Sequence, residues 1–136
     1  MLERMVSRNF EALNRKDLGA TMGAWADDAV FEFPGHSSIS GRFVGKAAIE
    51  TWWRRWFARM ETVHFAVRHV ALANPLALTF ANTVFIEWVA DVTTVDGLPA
   101  HAEAVTVMRM RRGKVVAARD YFLDPGVEDA VWGSAT

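Results

Sequence analysis

Gly113-Lys-Val-Val-Ala-Ala-Arg-Asp-Tyr-Phe122 is a run of β-branched, small and aromatic residues set between an Arg112-Gly113 turn and an Asp124-Pro125-Gly126 stop. It predicts a strand over Lys114–Phe122. Side chains alternate along a strand, so Val116, Ala118, Asp120 and Phe122 share one face, and Val115, Ala117, Arg119 and Tyr121 share the other. The first face is hydrocarbon apart from one carboxylate.

Three more strands are expected upstream, near Val63–Leu72, Leu78–Thr93 and His101–Arg111, with turns at Asn74-Pro75, Asp96-Gly97 and Arg112-Gly113. Connections this short imply an antiparallel meander. The strand from Leu78 to Thr93 would run roughly 50 Å if straight. A compact chain of this length has a radius of gyration of about 14 Å, so the sheet must curve. Sorted by parity, Val84, Ile86, Trp88, Ala90 and Val92 join Ala102, Ala104, Thr106, Met108 and Met110 on the Asp120 face. The opposite face carries Glu87, Asp91, His101, Glu103, Arg109 and Arg119 among valines, suited to cross-strand ion pairs and to a dimer. The apolar parity Val63, Phe65, Val67, His69 and Ala71 of the first long strand would bring His69 inside.

The N-terminal part is helical in pattern. Leu2, Met5, Val6, Phe10 and Leu13 form a stripe on which Asn9 falls as a polar exception. Asp17 can cap a second helix in which Leu18, Met22 and Trp25 align. Ala29–Phe33 reads as a short strand ended by Pro34-Gly35, and residues 35–45 as a polar loop. After Gly45, Ile49, Trp52, Trp53, Trp56, Phe57 and Met60 form one continuous stripe opposite Arg54, Arg55 and Arg59. A helix with three tryptophans on one face needs a broad apolar surface, and the sheet supplies it. The expected fold is α+β: three N-terminal helices across a strongly curved antiparallel sheet, a cone with an apolar pocket, in one domain spanning 1–136.

Composition narrows the function classes. With 136 residues, 15 basic and 16 acidic side chains and a net charge of −1, nothing favours nucleic acid or an anionic membrane as partner. No cysteine is present, which removes thiol nucleophiles, disulfides and zinc-thiolate sites and fits a cytoplasmic protein. The start reads as a charged amphipathic helix rather than a signal sequence. His36, His64 and His101 lack ligand spacing, and neither metal nor cofactor is expected.

If the parity holds, Asp120 is a lone carboxylate among hydrocarbon, where desolvation raises its pKa and fits it for general acid/base work. Trp25, Phe31, Phe33, Trp56, Trp88, Met108 and Phe122 would wall the pocket, with Asn9, Thr106 and His69 as polar handles. Alanines 90, 102, 104 and 118 leave room for a ligand, and Val127, Val131 and Trp132 have a helical spacing that would close the mouth. The plainer alternatives are an Asp120 exposed or paired with Arg68 or Arg119, a structural His69, and tryptophans that only fill core.

Phe10-Glu-Ala-Leu-Asn-Arg-Lys-Asp-Leu18, Trp25-Ala-Asp-Asp-Ala-Val-Phe-Glu-Phe-Pro-Gly35 and Gly45-Lys-Ala-Ala-Ile49, together with the last strand, resemble the nuclear transport factor 2-like superfamily. That group includes ketosteroid isomerases, limonene epoxide hydrolases and SnoaL-type polyketide cyclases. The resemblance implies a cone-shaped pocket and a dimer across the sheet. The residues that ketosteroid isomerases use as base and oxyanion donors fall here on Phe33, Asn9 and Thr106. Of the epoxide hydrolase set, only the last-strand aspartate is kept, as Asp120; its companions fall on Trp88, Ala90, Phe31 and Phe33. The cyclases, which rely chiefly on one aspartate near this strand, are the leading analogy. Two readings remain: an enzyme using Asp120 on a hydrophobic cyclic small molecule, with His69 as a second candidate, or a non-catalytic binding or dimerisation domain.

Overall fold

The computed structural model describes residues 2–77 and 80–133. The described residues form one six-stranded sheet in the order β2-β1-β6-β5-β4-β3, curved and crossed by helices. In chain order these are α1 (Leu2–Asn14), α2 (Leu18–Met22), β1 (Trp25–Phe33), β2 (Gly41–Val44), α3 (Lys46–Arg59), β3 (Met60–Leu72), β4 (Ala81–Thr94), β5 (Pro99–Arg111), β6 (Lys114–Phe122) and α4 (Gly126–Trp132). Strands β3 to β6 form the expected antiparallel meander. β1 joins it alongside β6 in parallel, so both edges of the Asp120 strand are paired.

The helices begin where capping chemistry allows. Asp17 accepts a hydrogen bond from the Ala20 amide at 3.0 Å and starts α2. Gly45 precedes α3 at φ +91°, a conformation that a side chain would strain, while its amide is tied to the Ala29 carbonyl at 2.7 Å. Ile49, Trp52, Trp56 and Phe57 of α3 are buried on the sheet. Trp52 also donates its indole N–H to the Ile39 carbonyl at 2.9 Å, which removes the desolvation cost of burying it. Phe31 meets Trp25, Phe33 and Trp52 in edge-to-face geometry, and such pairs contribute about 0.5–1.5 kcal/mol each beyond area burial. Asn14 ties the end of α1 to β3 by bonding both the amide and the carbonyl of Phe65.

Several expectations need correction. Trp25 is the first residue of β1, not the end of a helix: α2 stops at Met22, and the carbonyl of Ala24 already accepts from Val115 of β6. The segment expected to be wholly loop contains β2, which pairs with β1 through four residues. The expected start of the second long strand, Leu78–Thr79, lies outside the described residues, and the strand proper begins at Ala81. On β6, Val115 and not Val116 is buried, because a register shift between Arg109 and Met110 displaces the alternation by one residue.

His69 is the largest correction. A second irregularity lies between Val67 and His69 on β3, and beyond it the parity reverses. Its side chain is 82% exposed and bonds Glu87 at 2.9 Å on the outer face of the sheet. His69 therefore has no place in the pocket. The outer face otherwise carries the ion pairs that its composition suggested, among them His101–Asp91 and Arg68–Glu103. Among the described residues no helix is long and apolar enough to cross a membrane.

Candidate functional site

The concave side of the sheet and the helices line a partly open cavity of about 130 Å³. β1 supplies Trp25, Phe31 and Phe33 to its wall, α3 supplies Trp56, and β4 supplies Trp88. β5 contributes Thr106 and Met108, β6 contributes Asp120 and Phe122, and α1 contributes Asn9. Every sequence-derived site residue except His69 thus meets in one place.

Asp120 is 8% exposed. It lies opposite Thr106 in the β5–β6 register, and Thr106 Oγ1 donates to Asp120 Oδ1 at 2.6 Å. Trp88 Nε1 lies 2.8 Å from the same hydroxyl. An indole N–H can only donate, so Trp88 donates to the Thr106 hydroxyl, whose own proton is available to the ionised Asp120 carboxylate. In the ionised form Oδ1 accepts from Thr106, and Oδ2 is left without that bond. Among the described residues Oδ2 has no protein hydrogen-bond partner.

The arginines that might have neutralised Asp120 are engaged elsewhere. Arg68 pairs with Glu103, and Arg119 with Glu32 and Tyr121 on the outer side. With no counter-ion, desolvation dominates and lifts the Asp120 pKa to about 6, and the Thr106 hydrogen bond opposes this rise. Such a carboxyl exchanges its proton close to neutrality.

A second carboxyl was not foreseen. Glu128, in the first turn of α4, lines the same cavity. Burial is the largest cause of its raised pKa, and the charges of Asp120 and Asp129 push it further, to about 7. The charge of Asp120 raises the Glu128 pKa, so the two groups titrate as a coupled pair. α4 is held in place by its C-terminal end. Arg59 donates twice to the Val131 carbonyl, Ser38 Oγ donates to that of Trp132, and Arg55 lies over the Trp132 ring at 5.6 Å. The spacing of Val127, Val131 and Trp132 had indicated a cap. An acidic residue in a first helical turn is favoured by the helix dipole alone, so nothing in the sequence marks Glu128 as a cavity residue.

Known proteins with the same architecture are numerous. The family model of the SnoaL-like domain matches residues 6–118. YesE, an uncharacterised protein of Bacillus subtilis (strain 168), is 30% identical over 121 residues, which cover 88% of this chain and 79% of that protein. A nuclear transport factor 2-like protein of unknown function from Burkholderia pseudomallei superposes with a TM-score of 0.80 at 20% identity, covering 98% of both chains. A hypothetical protein of ketosteroid isomerase-like fold from Catenulispora acidiphila, solved in complex with trimethylamine, gives a TM-score of 0.75 at 21% identity over 96% of this chain and 92% of that one. At these identities the two structures speak for the fold.

Proposed function

We propose that this chain, which belongs to the SnoaL-like domain family of the nuclear transport factor 2-like superfamily, is a cofactor-independent small-molecule enzyme in which Asp120 serves as general acid/base on a hydrophobic cyclic substrate. Its reaction class is proton transfer coupled to cyclisation, isomerisation, dehydration or hydrolysis. The observation that carries this reading is the Trp88–Thr106–Asp120 hydrogen-bond chain, which holds Oδ1 of a buried, pKa-raised carboxyl and leaves Oδ2 available to a ligand. A cavity of about 130 Å³ is close to the size of engineered apolar cavities that take up benzene, at about 150 Å³. The enclosed part of the substrate is thus a single ring. A cytoplasmic location goes with this reading, supported by the absence of cysteine.

The test is a turnover screen of single-ring hydrophobic substrates with a pH–rate profile on any hit. Activity should rise through a midpoint near 6 if Asp120 acts as base, or fall through it if it acts as acid. In Thr106→Val the midpoint should move upward, because that hydroxyl stabilises the charged form. A profile unchanged in Thr106→Val would contradict the role given to the chain of hydrogen bonds.

The non-catalytic alternative is favoured by one feature. The positions that carry fuller catalytic sets in related enzymes hold Phe31, Phe33, Trp88 and Ala90, which leaves a mostly hydrocarbon binding pocket. It predicts ligand binding that survives in Asp120→Asn with no turnover in either protein.

We also propose a homodimer through the outer face of the sheet. There Tyr121 and Leu123 are exposed beside Val105 and the Arg68–Glu103 pair. Sedimentation should show a dimer at micromolar concentration, and Val105→Arg should shift it to monomer. A clean monomer in the unmodified protein would refute the interface.

A further inference from the structure

The cavity's charged complement is one-sided. Two carboxyls, Asp120 and Glu128, line it, and no lysine, arginine or histidine does so among the described residues. Asp120 Oδ2 and both Glu128 oxygens have no donor among the described residues. Asp120 is 8% exposed, so an oxygen of it without a donor is an incomplete arrangement, since buried polar groups are ordinarily hydrogen-bonded. The buried Trp53 indole N–H and Thr21 hydroxyl, which also line the cavity, have no partner among the described residues and leave room for an acceptor elsewhere on the ligand. The rest of the wall is aromatic, including Trp88, Phe122 and Phe33, whose rings meet edge to face. Ring faces attract cations, most strongly where water is excluded.

We propose that the ligand of this cavity is a lipophilic amine: one aromatic or alicyclic ring bearing a protonated nitrogen, its ammonium group seated against Glu128 and Asp120. An ammonium ion brings N–H donors and no acceptor, which suits carboxylate oxygens without donors, and it supplies the counter-ion that the cavity lacks. An anionic ligand would meet two carboxyls and no cation. The same complement explains why burial can hold both carboxyls near neutrality in the empty protein: their partner arrives with the ligand.

The proposal rests on reading the cavity as a ligand site, and the experiment separates the two. Benzylammonium, benzyl alcohol and benzoate, nearly equal in size, are titrated calorimetrically into the full chain near pH 8, about one pH unit above the Glu128 midpoint. Benzylammonium should bind at least about tenfold more tightly than benzyl alcohol, as expected of a desolvated cation–aromatic and carboxylate contact, with benzoate weakest. Glu128→Gln should bring the amine and the alcohol to within about threefold of each other, since one charge-assisted contact is lost. If benzyl alcohol binds as tightly as benzylammonium, the amine assignment is wrong and the cavity reading stands. If none of the three binds, both fall.

Discussion

Asp120→Asn is expected to lower kcat/KM by about two to four orders of magnitude, the usual contribution of a positioned general acid or base. The variant should fold as well as the parent. Asparagine has nearly the same shape, and its side-chain oxygen can still accept from Thr106, so the Trp88–Thr106 contact need not be disturbed. The variant should even be more stable than the parent above pH 6, because it carries no charge to be desolvated. Loss of turnover together with a gain in stability is the signature of a group kept for function and not for folding. Full turnover in a well-folded Asp120→Asn would remove the acid/base assignment.

The second large effect is on stability against pH. In the folded protein Asp120 holds its proton up to about 6, above its ordinary value of 3.8. A folded-state pKa raised in this way means that the native state binds the proton more tightly than the unfolded chain does. The resulting stabilisation is complete below pH 3.8 and is lost as pH rises through about 6. At about 1.4 kcal/mol per pH unit, that loss amounts to about 3 kcal/mol. Glu128 acts in the same direction between 4.5 and about 7. Urea midpoints should therefore fall between about pH 4 and about pH 8, and Asp120→Asn should flatten about half of that slope, the rest belonging to Glu128. A stability that is level or rising across this window would mean that Asp120 is ionised in the fold at little cost.

How far the chain could be read in advance depended on how regularly each strand alternates. β4, β5 and most of β6 alternate without interruption around the site, so parity alone brought Trp88, Thr106, Met108 and Asp120 to one face. It failed where a bulge intervenes: beyond Val67 on β3, which turns His69 out to solvent, and near Val115 on β6. A one-residue slip inverts every side chain beyond it, and no local residue type announces one in either segment. β2 escaped notice because its four residues carry only two that are hydrophobic, and its pairing with β1 is a tertiary fact. Trp25 fitted helical spacing as well as it fits the strand, and the arbiter was its long-range partner on β6. Glu128 lay beyond any periodicity argument. Its place over the cavity is set by Arg59, Ser38 and Arg55, residues some 70 to 90 positions earlier in the chain.

The family likeness and the geometry agree on the pocket and differ on its equipment. The aromatic load that the sequence displays is used in two ways at once: Trp52 is core, tied to the Ile39 carbonyl, whereas Trp88 spends its N–H on orienting the site threonine. The proposed chemistry would depend on one carboxyl held by Trp88 and Thr106, neighbours that do not themselves titrate near neutrality.

The most direct test of that claim is the titration of Asp120 itself, followed by carboxyl carbon-13 NMR with Asp120→Asn to assign the resonance. A midpoint near 6 is predicted, and a midpoint at or below the ordinary aspartate value of about 3.9 would contradict a buried, unpaired carboxyl and with it the proposed acid/base role.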